Sequence, residues 1–168
     1  MTTGRYRRPV VTLLDRPFTV EEAHEATSWS YPPPFDDYNL DASAAALFLD
    51  RSREGHGYYP AVDTEGALVG FAVFGLEARV RGQQVVEGTL DVGAGVRPEV
   101  TSRGVGTELL GQLIDFGRGR WAPTTFRVAV AQSNVRSLAL CARAGFTAVG
   151  ELEGPGGRPF VELTLPMW

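Results

Sequence analysis

The chain has 168 residues, of which 43% are hydrophobic and 21% charged, enough for one well-buried core and too few for two ordinary domains, so a single domain over 1–168 is expected. No run approaches the roughly 18 apolar residues of a membrane span, and a net charge of -4 speaks against a general nucleic-acid binder and for an amine-bearing partner. All 16 basic residues are arginine, which excludes the Walker A, pyridoxal and protein-kinase chemistries that require a lysine.

In chain order, the start MTTGRYRRPVVTLLDR is positive but lacks an apolar run and a small-residue cleavage site, so the cytoplasm is the expected location. RPVVTLLDR reads as a first strand. Thr19 with Glu22 three residues later forms a capping box for a helix carrying Val20, Ala23 and Ala26, which should stop before Pro32. SWSYPPPFDDYNLD, from Ser28 to Asp41, must be a rigid loop. DASAAALFLDR then reads as a short helix capped by Asp41 or Ser43. Strands YYPAVD and ALVGFAVFGLEARV follow, joined by the turn Thr64-Glu65-Gly66.

After the polar turn RGQQ, GTLDVGAGVRP is a fourth strand ended by Pro98, in which Gly93 and Gly95 mark a bulge or a close approach of a backbone or ligand. From Gly106, the positions Leu109, Leu110, Leu113 and Ile114, with Gly117, share one helical face. FRVAVA is a fifth strand. Val135, Leu138, Ala139 and Ala142 give the next helix its core face, and Gly145 is a left-handed stop with Phe146 packing behind it. TAVGELEG and RPFVELTLP close the chain as a hairpin across PGG. The pattern predicts an α/β fold: a mixed seven-stranded sheet with helices on its faces.

One cysteine, Cys141, excludes an internal disulfide, and with only His24 and His56 the usual zinc sets cannot be assembled, so no metal is expected. No G-x-S-x-G occurs for a serine hydrolase. Asp115-Phe116-Gly117 lies inside a helical pattern and His24 on a helix interior, and neither is assigned chemistry. The chemistry-bearing stretch is TSRGVGT, Thr101 to Thr107. Two glycines where a loop becomes a helix leave the first-turn N–H groups unpaired, let backbone approach a pyrophosphate without a Cβ in the way, and add the positive end of the helix dipole. Alone, such a turn reads equally as a tight strand-to-helix connection. A dinucleotide fingerprint around Gly93 and Gly95 fails because Pro98 stands where its third glycine belongs.

Downstream, N-x-x-S-x-x-L-C-x-x-x-G-F runs from Asn134 to Phe146. With Val96 and Pro98 at a strand end and Gly104, Val105 and Gly106 in the loop, the chain resembles the GNAT superfamily of N-acetyltransferases over its C-terminal two-thirds. W-x-Y-x-x-P-F-x-x-Y, from Trp29 to Tyr38, is similar to the acceptor-side loop of one bacterial branch. The resemblance implies the acyl-CoA N-acyltransferase fold, with a mostly antiparallel sheet and helices on both faces, and acetyl transfer from acetyl-CoA directly to a primary amine such as a protein N-terminus or a small amine. It implies that the backbone of Ala94, Gly95 and Val96 pairs with the pantetheine arm and offers an oxyanion N–H. Ser102, Arg103, Gly104, Val105, Gly106 and Thr107 would hold the pyrophosphate. Asn134 would bond the pantetheine amide, its other reading being a plain helix N-cap.

Thr101 stands where the family usually carries Arg or Gln, leaving Arg103 to supply charge, and Cys141 occupies the place of the usual tyrosine proton donor. A thiol there is either that donor or a small apolar filler. Ala129 stands where some relatives carry a glutamate base, leaving Asp91 as the best carboxylate, either as base or as an anchor for the ammonium or a loop. Trp29, Tyr31, Phe35 and Tyr38 line an acceptor pocket or form the core of a lid. A non-catalytic acyl-CoA-binding module is the rival reading. The sequence leaves the acceptor and the oligomeric state open, a homodimer included.

Overall fold

A computed structural model describes residues 10–50 and 56–168. Its seven strands are β1 (Thr12–Leu13), β2 (Gly57–Val62), β3 (Leu68–Phe74), β4 (Thr89–Val96), β5 (Thr125–Ala131), β6 (Thr147–Glu153) and β7 (Pro159–Pro166). They form one sheet in the order β1-β2-β3-β4-β5-β7-β6, with every neighbouring pair antiparallel except β4 and β5. Four helices, α1 (Val20–Ser28), α2 (Ala45–Leu49), α3 (Val105–Trp121) and α4 (Val135–Arg143), cover both faces. Leu110 and Leu113 of α3 and Cys141 of α4 pack with Phe74, Val92 and Phe126 on one face, while Ala23, Ala26 and Phe48 of α1 and α2 pack with Trp29 and Phe71 on the other. Among the described residues no helix is long and apolar enough to cross a membrane.

Local chemistry explains most boundaries. Thr19 Oγ1 accepts the Glu22 N–H at 3.1 Å while Glu22 accepts the Thr19 N–H at 3.0 Å, the reciprocal cap expected for α1. Asp41 accepts the Ser43 N–H at 2.8 Å and starts a short 3-10 turn, Ala42–Ala44, that leads into α2; the expected end of that helix at Arg51 lies outside the described residues. Gly145, at φ +98°, stops α4 and turns Phe146 into the core.

Four expectations are corrected. The first strand is only Thr12–Leu13, where RPVVTLLDR reads as longer; its Arg8 and Pro9 lie outside the described residues. The third strand ends at Phe74, because Gly75 takes a left-handed φ of +82° against the His56 ring and Gly75–Ala78 forms a 3-10 turn. Gly93 and Gly95 make no bulge: the β3–β4 register runs unbroken from Gly70↔Val96 to Phe74↔Val92. The glycines instead make room, since a Cβ on Gly95 would stand 2.4 Å from the Phe71 ring and one on Gly93 3.0 Å from Val73. Finally, the core face of α4 is not Val135, Ala139 and Ala142, all exposed, but Cys141 with the half-buried Leu138 and Leu140. Arg136 and Arg143, two turns apart on one side of the helix, mark its polar side and leave Leu138 and Cys141 opposite, with Val135 and Ala142 at the edge of that apolar arc.

Candidate active site

The site begins where the sheet forks. The parallel strands β4 and β5 are in register only at Thr89↔Thr125, Leu90↔Phe126 and Asp91↔Arg127. Beyond that rung β4 continues beside β3 to Val96 and β5 beside β7 to Ala131, so their facing edges separate. A cavity of about 580 Å³ opens into the fork, lined by Val92 to Val96 on one side and Val128 to Val130 on the other. The β4 edge that faces it has no strand partner there, leaving backbone polar groups available to a ligand.

At the mouth of the fork lies the turn into α3. Ser102 (φ +62°) and Gly104 (φ +82°) both take left-handed backbone, which glycine adopts without cost and serine does not. Gly104 is the N-cap of α3, and no side chain bonds the first N–H groups of this helix, in contrast to the capped starts of α1 and α4. Unpaired N–H groups and the positive end of the helix dipole give this turn the electrostatics that suit an anion. Ser102, Gly104, Gly106 and Thr107 line the cavity. Arg103 and Val105 do not: Arg103 is exposed, and Val105 is a core residue packed with Val69 and Leu109. Thr101, which replaces the family's Arg or Gln, turns its hydroxyl back to donate to the Pro98 carbonyl at 2.8 Å.

A cation at this turn comes from α4, where the sequence reading had not placed one. Arg136 Nη1 lies 3.2 Å from Ser102 Oγ, and its guanidinium sits 4.5 Å from the Phe35 ring centroid. A basic residue in the first turn of a helix opposes the dipole; in hindsight that misfit is the signal for an anion nearby. Asn134 satisfies one reading and leaves room for the other. Its Oδ1 accepts the Ser137 N–H at 3.1 Å as an N-cap, while Nδ2 bonds the Tyr38 hydroxyl at 3.2 Å and keeps a second hydrogen. The Tyr31 hydroxyl donates to the Val96 carbonyl at 2.7 Å, so that carbonyl is already engaged; Gly95 pairs with Phe71 of β3, and the groups of β4 left free toward the fork are the N–H and C=O of Ala94 and the N–H of Val96. Thus Trp29, Tyr31, Phe35 and Tyr38 all line the cavity, and Trp29 serves the lid core as well, with its indole N–H buried and unpaired.

Asp91 is bound in an ion cluster away from the cavity. Its carboxylate is 3% exposed, lies outside the cavity lining and is held by Arg79 Nε at 2.7 Å and Arg127 Nε at 2.6 Å. Arg127 also donates to the Gln84 carbonyl at 2.8 Å. The hydrogen bond to Asp91 holds the Arg127 guanidinium above its usual pKa. Because Asp91↔Arg127 is the last paired rung, the ion cluster rivets the vertex of the fork. That position suits the anchoring alternative for Asp91 better than the proton-accepting one.

Cys141 lines the cavity from α4, 5% exposed, and burial pushes its thiol up to about 11. Burial likewise pushes the Tyr31 and Tyr58 phenols up to about 12, so neither serves as a base near neutrality. Among the described lining residues there is no carboxylate, and the charged side chains are Arg136 and Arg143, both on α4. No cluster of three metal-ligating side chains occurs among the described residues.

A sheet forked between two parallel strands, with a capless helix start at its mouth, defines the acyl-CoA type of N-acyltransferase fold. Residues 20–146 match the family model of the acetyltransferase (GNAT) family, to which the chain belongs. An L-methionine sulfoximine/L-methionine sulfone acetyltransferase of Pseudomonas aeruginosa is 29% identical over 115 residues, covering 68% of this chain and 64% of that relative's length. The fold is similar to aminoglycoside acetyltransferase AAC(6')-Ib in complex with coenzyme A, with a TM-score of 0.75 and 20% identity over 94% of this chain and 95% of that one. It is also similar to yncA from Salmonella typhimurium with its cofactor acetyl-CoA, with a TM-score of 0.66 and 19% identity over 93% of each chain.

Proposed function

We propose that the protein transfers the acetyl group of acetyl-CoA directly to a primary amine. The observation that carries this reading is the unpaired β4 edge opening onto the uncapped start of α3. The turn from Ser102 to Thr107, with Arg136 beside it, suits a pyrophosphate. The free Ala94 groups and the Val96 N–H, with the second Nδ2 hydrogen of Asn134, suit the amides and thioester carbonyl of a pantetheine arm, whose thioester would then lie beside Gly95. A backbone N–H of that edge stabilises the oxyanion as the amine nitrogen attacks the carbonyl carbon. The C–S bond then breaks, the thiolate leaves, and the ammonium proton passes to water.

With the described lining free of carboxylates, the amine must reach the thioester neutral. Near pH 7 that costs roughly 1.4 kcal/mol for a peptide α-amine of pKa about 8, and roughly 4.6 kcal/mol for an alkyl amine of pKa about 10.4. Weakly basic amines are therefore favoured. The test is thiol release from acetyl-CoA over an amine panel, with the N-acetyl product identified by mass spectrometry. In this reading kcat/KM rises with pH toward the pKa of whichever amine is used, and the inflection moves with the amine. A fixed inflection for all amines would point to a base on the protein.

The buried Cys141 in place of a tyrosine donor favours one rival, a module that binds acyl-CoA without turnover. Tight coenzyme A binding with no thiol release for any amine would establish that rival.

A further inference from the structure

The cavity is divided by chemistry. Its charged lining residues among those described, Arg136 and Arg143, both belong to α4, and Arg136 faces the turn that precedes α3. The opposite wall is built from the rings that fill the space between α1, α2 and the sheet. Phe48 lies 4.3 Å from Tyr58 and 5.1 Å from Phe71 between ring centroids, and Trp29 stacks on Phe71 at 6.2 Å and 16°. Phe71 is the link to the reacting end: its ring fills the space a Cβ on Gly95 would need, so the wall touches β4 at the point assigned to the thioester. Glu77 and Glu99 act on Tyr58 and Tyr31 only from outside the lining, and Glu99 is largely exposed.

Resting on the acetyl-transfer reading, we propose that the acceptor is a compact monoamine with an aromatic or branched-aliphatic body, held flat against the Phe71, Trp29 and Tyr58 wall with its nitrogen toward Gly95. A monoamine gives up its one positive charge before it attacks, so nothing charged is left against the rings. A polyamine or an aminoglycoside would keep further ammonium groups beside an uncharged wall and two guanidiniums. A ring face attracts one cation weakly, and it does not replace the carboxylate that a buried ammonium needs. The apolar body in turn gains from leaving water against the aromatic surface.

Calorimetric titration of 2-phenylethylamine, spermidine and kanamycin into the protein, with and without saturating coenzyme A, tests this independently of turnover. The expected result is 2-phenylethylamine binding at least tenfold more tightly than either polycation. Leu40 lines the cavity and is 44% exposed, so Leu40→Glu is a substitution the fold accommodates. It should raise spermidine affinity severalfold while leaving coenzyme A affinity within about twofold. Spermidine or kanamycin binding as tightly as 2-phenylethylamine, or none of the three binding in either condition, overturns the proposed acceptor class. Failure of acetyl transfer itself is read separately, as the absence of thiol release from acetyl-CoA over the same amines, whatever their affinities.

Discussion

Asp91 joins the vertex of the fork to two guanidiniums, and its removal should be read first in stability. Breaking a buried ion pair from one side typically costs about 3–5 kcal/mol because the partner charge is left uncompensated. Asp91→Asn is therefore expected to lower the melting temperature markedly and to leave the shape of the pH–rate profile unchanged in whatever protein stays folded. A folded, thermally normal Asp91→Asn protein whose kcat has fallen 100-fold or more would restore the base. Cys141 is the second residue where chemistry and packing make opposite predictions. A thiol held at about 11 is a poor proton source for an ordinary thiolate of pKa about 8.5, uphill by roughly 3 kcal/mol. Cys141→Ala should keep kcat within about twofold and cost about 1 kcal/mol through lost packing, while Cys141→Tyr should overpack by about 1–3 kcal/mol. A large loss of kcat in Cys141→Ala at unchanged coenzyme A affinity would make the thiol the donor. The raised thiol also sets a sign. Above its unfolded pKa of about 8.5 the unfolded chain loses the proton that the folded chain retains, so stability falls as pH rises from there toward about 11, and Cys141→Ala should abolish that part of the decline.

At the scale of elements, the turn before α3 and the first turn of α4 act on one ligand group. Gly104→Val forces a branched residue to φ +82°, costing about 1–2 kcal/mol of backbone strain, and places a Cβ where a pyrophosphate should lie. Calorimetry should show coenzyme A binding weakened more than tenfold. Gly106→Val should act differently, since its Cβ would meet Leu140 at 3.0 Å and loosen α3 from α4. Arg136→Gln should weaken coenzyme A binding more than Arg103→Gln does, and only the former should flatten the salt dependence of binding; equal effects would return the charge to Arg103. These elements were largely legible in the sequence. The glycine pair, the Asn134 cap and the Gly145 stop are local signals, each set by backbone chemistry within a few residues. Arg136 and the Phe71 wall were not, because they act on parts of the chain 34 or more residues away, Arg136 across to Ser102 and Phe71 across to Trp29. The face of α4 has a different origin: alanine at positions 139 and 142 suits burial or exposure equally, and the charges of Arg136 and Arg143 on the opposite side were the local signal that Leu138 and Cys141 face the core.

At the scale of the whole molecule, the number of strands and their order along the chain were readable from the turn residues between them, while the fork was implied by the family resemblance alone, since separation of β4 from β5 leaves no mark on either strand. The segment from Trp29 to Leu40 contacts both halves of the cavity: Phe35 packs under Arg136, Tyr38 bonds Asn134, and Tyr31 bonds Val96. Donor and acceptor sites thus share one element, and coenzyme A should raise acceptor affinity and the acceptor coenzyme A affinity by the same factor. A factor of one would show that the shared segment does not couple the two sites. The claim on which all of this depends is the location of the acyl thioester. A crystal structure with bound coenzyme A decides it. The account predicts the pantetheine arm between β4 and β5, its polar groups on Ala94, the Val96 N–H and Asn134, its sulfur beside Gly95 and its pyrophosphate on the turn from Ser102 to Thr107; an arm lying outside the fork, with Ala94 and Val96 uncontacted, would contradict it.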